Sequence, residues 1–114
     1  MPTFLLTHWV RDRRRGERLP LELVVRRQTR HTAELYDLHD RGLLAPGMKA
    51  DMNVIDFDGL ALGAPEMVFD LPANGRRLVQ NARGYRVTVK SGAVVREDDR
   101  ATGELPGTLV RGPQ

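Results

Sequence analysis

The chain contains no cysteine. That excludes disulfides, thiolate metal sites and a cysteine nucleophile. Serine is almost as scarce: Ser91 stands alone, beside Gly92 and between two apolar stretches, which is the setting of a turn and not of a nucleophile. Aromatic residues make up 5% of the 114, too few for a platform on which bases could stack. Long apolar runs are missing as well. Phe4-Leu5-Leu6 is followed at once by His8 and Arg11, so it is too short for a signal-peptide core or a membrane span. These gaps predict a cytoplasmic chain with no membrane partner. No phosphate-binding loop is present, and Asn74-Gly75 reads as a turn.

Hydrophobic residues at 40% and charged residues at 29% are enough for a folded core. A domain this small buries only about two-thirds of the surface of its unfolded chain, so its margin is thin. The net charge is +3, carried almost entirely by arginine, with Lys49 and Lys90 the only lysines. The excess is concentrated between Arg11 and Arg30, where eight arginines face Asp12, Glu17 and Glu22. Such a stretch can bind an acidic partner, but arginines also complement the end of a helix. With no recognition motif beside it, we read the stretch as solvated surface and do not expect a nucleic-acid partner.

The three histidines, His8, His31 and His39, lack the close spacing of a paired metal site. Asp37 and Asp40 are three residues apart, and Glu97-Asp98-Asp99 follow an apolar stretch. Paired carboxylates do acid–base work only where a desolvated cleft moves their pKa values. These acids sit at expected helix ends and turns, where capping is their ordinary role. We therefore assign no catalytic, cofactor-binding or metal-binding residue to the chain.

Apolar spacing predicts a helix over residues 3–14, capped by Thr3, with a stripe of Phe4, Leu5 and Trp9. A second helix is expected from Leu19-Pro20, with Leu21, Val24, Val25 and Gln28 on one face. A short third helix would start at Thr32, turn Leu35 and Leu38 inward and stop at Gly42. After a turn at Leu44-Ala45-Pro46-Gly47, the run Met52 to Phe57 reads as a buried strand. Residues 59–75 carry Gly59, Gly63, Pro65, Pro72 and Gly75 and read mostly as loop, with one short strand at Val68-Phe69. Tyr85 to Lys90 alternates apolar and polar, and Ser91-Gly92 joins it to Ala93 to Arg96 as a β-hairpin. From Thr102 onward the chain reads as an extended tail.

The fold class is therefore α+β: two or three N-terminal helices, then a small, mostly antiparallel partial β-sandwich. Three or four short strands cannot close a sandwich or barrel alone, and an open sheet exposes edges and an apolar face. The chain looks like an incomplete unit that borrows strands or pairs with a second copy. Aspartate at Val54 or Ile55 is expected to make it insoluble.

The stretch Asp40-Arg41-Gly42-Leu43-Leu44-Ala45-Pro46-Gly47-Met48-Lys49-Ala50-Asp51, continuing to Ile55-Asp56, resembles a signature near the C-terminus of the amidohydrolase superfamily. His8-Trp9-Val10-Arg11-Asp12 with Leu19-Pro20-Leu21-Glu22 is similar to the segment after the last barrel strand in the N-acyl-D-amino-acid deacylase (D-aminoacylase) branch. Asp70 to Leu78, Ser91 to Val95 and Thr102 to Gly107 resemble that branch's tail. One departure is Gln28-Thr29, where the branch often has Met-Thr or Leu-Thr.

The resemblance implies that residues 1–42 correspond to the last helices of a (β/α)₈ barrel and residues 43–114 to part of a β-sandwich, with Met52 to Phe57 a central strand. It implies a complete enzyme that hydrolyses amide C–N bonds with zinc. The family's metal ligands and catalytic aspartate fall before the equivalent of Met1, so the chain alone is not expected to catalyse. Its partner would be the remainder of a barrel, in the same or a separate chain, or a second copy in a self-associating dimer. The alternative is a free-standing protein-interaction or anion-binding module that self-associates through its open sheet and uses Arg11 to Arg30.

Overall fold

The structure, a computed structural model, describes residues 2–112. It is an α+β fold, with helices first and antiparallel sheets after them. Helix α1 (Pro2–Phe4) runs directly into a π-helix (Leu5–Asp12). Helices α2 (Leu21–Gln28) and α3 (Arg30–Leu35) follow. The strands are β1 (Met52–Ile55), β2 (Ala61–Leu62), β3 (Glu66–Leu71), β4 (Gly75–Val79), β5 (Ala82–Arg83), β6 (Tyr85–Lys90), β7 (Ala93–Glu97) and β8 (Arg100–Ala101). One sheet runs in the order β1-β6-β7-β8, while β2 pairs with β5 and β3 with β4. No helix among the described residues is long and apolar enough to cross a membrane.

The N-terminal helix is wound more loosely than a 3.6-residue period assumes, because π-helical bonds reach one residue further. Its buried face is consequently Thr3, Leu6 and Thr7, with Leu5 and Val10 partly covered, and not the expected Phe4, Leu5 and Trp9 stripe. Thr3 does not cap the helix. It lies inside α1 and its hydroxyl pairs with the Tyr85 hydroxyl at 2.8 Å, tying the first turn to the sheet. Trp9 stays at the rim, with the Arg13 guanidinium 4.5 Å over its ring.

In α2 only Val24 is buried, while Leu21, Leu23 and Val25 are each more than a third exposed. Helix α3 begins two residues before the expected start. Thr32 lies within it, its hydroxyl donating to the Arg27 carbonyl, and the buried residue is Ala33. Leu35 is 78% exposed, contrary to the inward position expected for it, because α3 ends there and its short face is already covered through Ala33. Gly42 is not the helix stop, since α3 closes seven residues earlier. Its φ of +84° and the 2.8 Å separation between a built Cβ and that of Ala33 show instead a backbone pressed onto α3.

The core is small. Leu6, Val24 and Leu60 form it, flanked by Leu5, Val10, Ile55, Phe57 and Tyr85. Leu60 is fully buried, and burying one such side chain contributes about 1.5–3 kcal/mol. This residue sits inside the stretch read as loop. So do β2 and β3, which pair with β5 and β4: Glu66↔Val79, Met67↔Leu78, Val68↔Arg77. The glycines and prolines of 59–75 mark the root and tip of a two-stranded arm, not a loop.

Strand β1 ends at Ile55, with Asp56 to Gly59 forming a turn, and it is an edge strand, not a central one. Ile55 packs on the core, whereas Val54 is 51% exposed. The expectation of insolubility therefore narrows to Ile55. The hairpin β6–β7 has the predicted turn at Ser91-Gly92, with φ of 51° and 85°, the left-handed pair that a two-residue hairpin turn demands. Residues 102–112 form no regular element; Thr102 anchors them by bonding the Val94 and Val95 carbonyls. The expected extended tail continues past them to Pro113 and Gln114, which lie outside the described residues.

Candidate functional site

The residues of the signature stretch meet between the helices and the sheet. Ala45 to Met48 form a turn closed by the Met48 amide on the Ala45 carbonyl, with Pro46 at its second position and Gly47 at φ +84° in its third. That is the residue pattern of a type II turn. The turn folds Lys49 back onto Asp40: the Lys49 amide donates to the Asp40 carbonyl at 2.8 Å, and Nζ lies 2.6 Å from Asp40 Oδ2. Arg41 grips the same carboxylate. Arg41 and then Lys49 hold the Asp40 carboxyl well below its usual range.

Asp51 makes a second clasp. Its Oδ1 accepts the Ser91 amide at 2.8 Å, and both oxygens accept Lys90 Nζ at 3.0 and 3.1 Å. The amide it binds belongs to the β6–β7 turn, forty residues on in the chain. The Gly92 amide adds a bond to the Ala50 carbonyl. Partial burial, the largest single influence, raises the Asp51 pKa. The Ser91 amide, Lys90 and Arg41 together outweigh it, and the carboxyl lies below its usual range. Beside the clasps lies a cleft of about 590 Å³, lined by Leu6, Val25, Leu43, Leu44, Ile55 and Val89 with a few polar groups. Its polar lining includes Asp51, Thr29 and Thr88, and the Asp51 carboxylate is already bound by Lys90 and the Ser91 amide.

Arg11 is the residue that sequence reasoning misplaced. It was counted in the basic stretch, yet its guanidinium binds Asp12, donates to the carbonyls of Phe57, Asp58 and Leu60, and covers the Phe57 ring. Five fixed donors in a planar fork suit this work. Arg13 turns to the Arg15 carbonyl, Arg18 to that of Arg13, and Arg30 to Glu34. Half of the Arg11 to Arg30 arginines are thus spent within the chain.

The candidate acids and histidines are scattered. His8 stacks on Phe4 at 5.0 Å and meets Trp9 edge-on. His31 is exposed, and His39 lies 3.8 Å from Asp37 on the surface. Asp98 pairs with Arg86, which also binds Asp56. Asp99 caps the Gly84 and Tyr85 amides. Glu97 is exposed on β7. Ser91 occupies the hairpin turn. Among the described residues no three His, Asp or Glu side chains converge as a metal ion requires, so the donor set for a zinc centre is not assembled by them.

Asp40 and Asp51 of the signature stretch are thus both bound within the segment that connects the helices to the sheet. The family model for amidohydrolases matches the chain over residues 3–96, which takes in the π-helix, α2, α3, both clasps and all but the last residue of the β6–β7 hairpin. No curated protein and no solved structure matches it significantly. The match extends over most of the chain, and the chain belongs to the amidohydrolase family.

Proposed function

We propose that this chain is the C-terminal structural part of a metal-dependent amidohydrolase of the N-acyl-D-amino-acid deacylase branch. In this reading residues 1–42 close a barrel and residues 43–114 supply part of a sandwich. The zinc, its ligands and the catalytic aspartate belong to the rest of the barrel, in the same or a separate polypeptide, and the chain alone does not catalyse. The observation that carries the reading is the fate of the signature acids. Asp40 and Asp51 are each locked by two or more donors into the joint between helices and sheet. Three bonds fill most of the roughly four acceptor sites of each carboxylate, and a carboxylate so held braces an architecture. The tail segments similar to the deacylase branch support the substrate class, an N-acylated D-amino acid.

The test is direct. The purified chain is assayed for bound zinc and for hydrolysis of an N-acetyl-D-amino acid, and then co-expressed with a family barrel carrying the paired histidines. We expect no zinc and no turnover from the chain alone, and co-purification with restored hydrolysis in the pair. Stoichiometric zinc with amide hydrolysis by the isolated chain would overturn the reading. The alternative, an anion-binding module, is weakened by Arg11, Arg13, Arg18 and Arg30, which are turned to the chain's own acceptors.

A further inference from the structure

Among the described residues, two apolar sheet faces are largely open. The first is on the arm formed by β3 and β4. Met67 and Leu78 are opposite in register, and Phe69 follows Met67 at two-residue spacing, so these three share a face, while the register shift before the Leu71↔Gly75 pair turns Leu71 off it. The three are 50%, 64% and 59% exposed. The arm's other face carries the Asp70–Arg77 ion pair. The second face is on the four-stranded sheet. Met52 pairs with Val89, which pairs with Val94, and Val54 pairs with Val87. By register these five lie on the face away from Asn53 and Thr88, and Met52 and Val89 also reach the rim of the helix-side cleft.

We propose that the arm's apolar face seats on this five-residue face of a second copy of the chain, and that the exchange is reciprocal about a two-fold axis. Three observations select a second copy.

The arm cannot fold back on its own sheet, because its root is pinned. Ala61↔Arg83 and Leu62↔Ala82 pair, and the Gly63 amide bonds the Asn81 carbonyl. Leu60 is fully buried, and Gly84, at φ +101°, leaves only 2.9 Å between a built Cβ and the Leu60 Cα.

The charges match. Arg76 lies two residues from Leu78, on the arm's apolar face, and Glu97, opposite Val87, lies on the sheet's apolar face. Neither forms a salt bridge among the described residues.

The area suffices. Each face offers on the order of 300 Å², so two reciprocal contacts bury about 1,200 Å², the lower end of the range for specific interfaces. The chain leaves 8814 Å² accessible, where a folded monomer of 12.8 kDa leaves about 6,300 Å². The tail accounts for part of that excess, and the two open faces add to it.

Light scattering across the micromolar range tests the proposal on the intact chain, which is expected at twice its 12.8 kDa mass. Phe69→Asp should weaken dimerisation at least about tenfold with an unchanged circular-dichroism spectrum, since Phe69 is outside the core. Glu97→Arg should weaken it and Arg76→Glu should restore it. The chain has no cysteine, so mixing Arg76→Cys chains with Glu97→Cys chains under mild oxidation should give a disulfide-linked heterodimer. A monomer at every concentration would overturn the proposal, as would a dimer indifferent to Phe69→Asp that forms no such cross-link. An arm that seats on a co-expressed barrel while the free chain stays monomeric also overturns it, and leaves the amidohydrolase reading standing. Zinc or turnover from the isolated chain would sink that reading without touching this one.

Discussion

The body of the molecule and its arm are built from similar residues and held in different ways. In the body, Leu6, Val24 and Leu60 meet in one core, Arg11 staples the turn at Phe57 to Leu60 onto the π-helix, Asp40 closes the connecting segment on itself, and Asp51 ties that segment to the β6–β7 turn. In the arm, β3 and β4 pair chiefly with each other, and Phe69 and Leu78 face solvent. The body spends its polar residues on closing itself. The arm leaves apolar residues open, the setting of the docking proposed above. The difference separates residues that make the fold from residues that the fold leaves uncovered.

The comparison is broken most severely at Leu60. Leu60→Ala removes a fully buried side chain from a three-residue core, and truncations of this kind cost about 2–5 kcal/mol. In a domain with so little core we expect loss of the cooperative thermal transition, followed by circular dichroism. A transition within a few degrees of the parent would mean that the body is not held by this core.

Gly84 comes next. At φ +101° it needs glycine, and an added Cβ would meet the Leu60 backbone, which cannot step aside. Gly84→Ala should cost about 2–3 kcal/mol, read as a lower denaturant midpoint. The same change at Gly92, where nothing lies within 4 Å of the built Cβ, should cost only the positive-φ strain, about 1 kcal/mol.

Legibility in the sequence followed the range of the interactions. The β6–β7 hairpin and the Pro46-Gly47 turn were readable because Ser91-Gly92 and Pro46-Gly47 carry their own backbone instructions. The signature was readable as a pattern, but its partners were not: that Asp51 binds Ser91, forty residues away, follows from the sheet register and not from local spacing. The arm was missed because Gly63, Pro65, Pro72 and Gly75 look like loop, while the pairing of β3 with β4 depends on contact across them. Leu60 was hidden between Gly59 and a strand of two residues. The helix stripe was misplaced because the π-helical winding has no signal at a 3.6-residue period.

Asp51→Asn probes the joint with a smaller effect. The amide side chain can still accept the Ser91 N–H but loses its charge on Lys90, and we expect a loss of about 1 kcal/mol at neutral pH. The pH dependence has a definite sign. The carboxyls of Asp40, Asp51, Asp56 and Asp70 all lie below their ordinary value of 3.8 in the folded chain. Their stabilisation is therefore complete above that value and fades as pH falls through the lower folded values. Denaturant titrations should find parent stability flat from pH 5 to 8 and falling below about pH 4. The gap between parent and Asp51→Asn should close over the same acid range. A gap that widened on acidification would mean that Asp51 is protonated in the folded chain.

The smallest effect is expected in the arm, and it is the sharpest test of the contrast. Phe69 is larger than Leu60 and as apolar, so composition alone ranks Phe69→Asp as the worse substitution. Its side chain is 59% exposed, and the arm's pairing bonds run through the backbone. A surface change of this kind alters folding stability by under about 0.5 kcal/mol. The measurement belongs at the lowest workable protein concentration, because a self-associating chain gains apparent stability by mass action and Phe69→Asp would remove that gain as well. Hydrogen exchange supplies the control: amides of β3 and β4 should exchange faster than those of β6 in both proteins, since only β6 is paired on both sides and joined to the core. If Phe69→Asp at high dilution instead cost as much as Leu60→Ala, the arm would be part of the folding unit, and the division into a closed body and an open arm would fail.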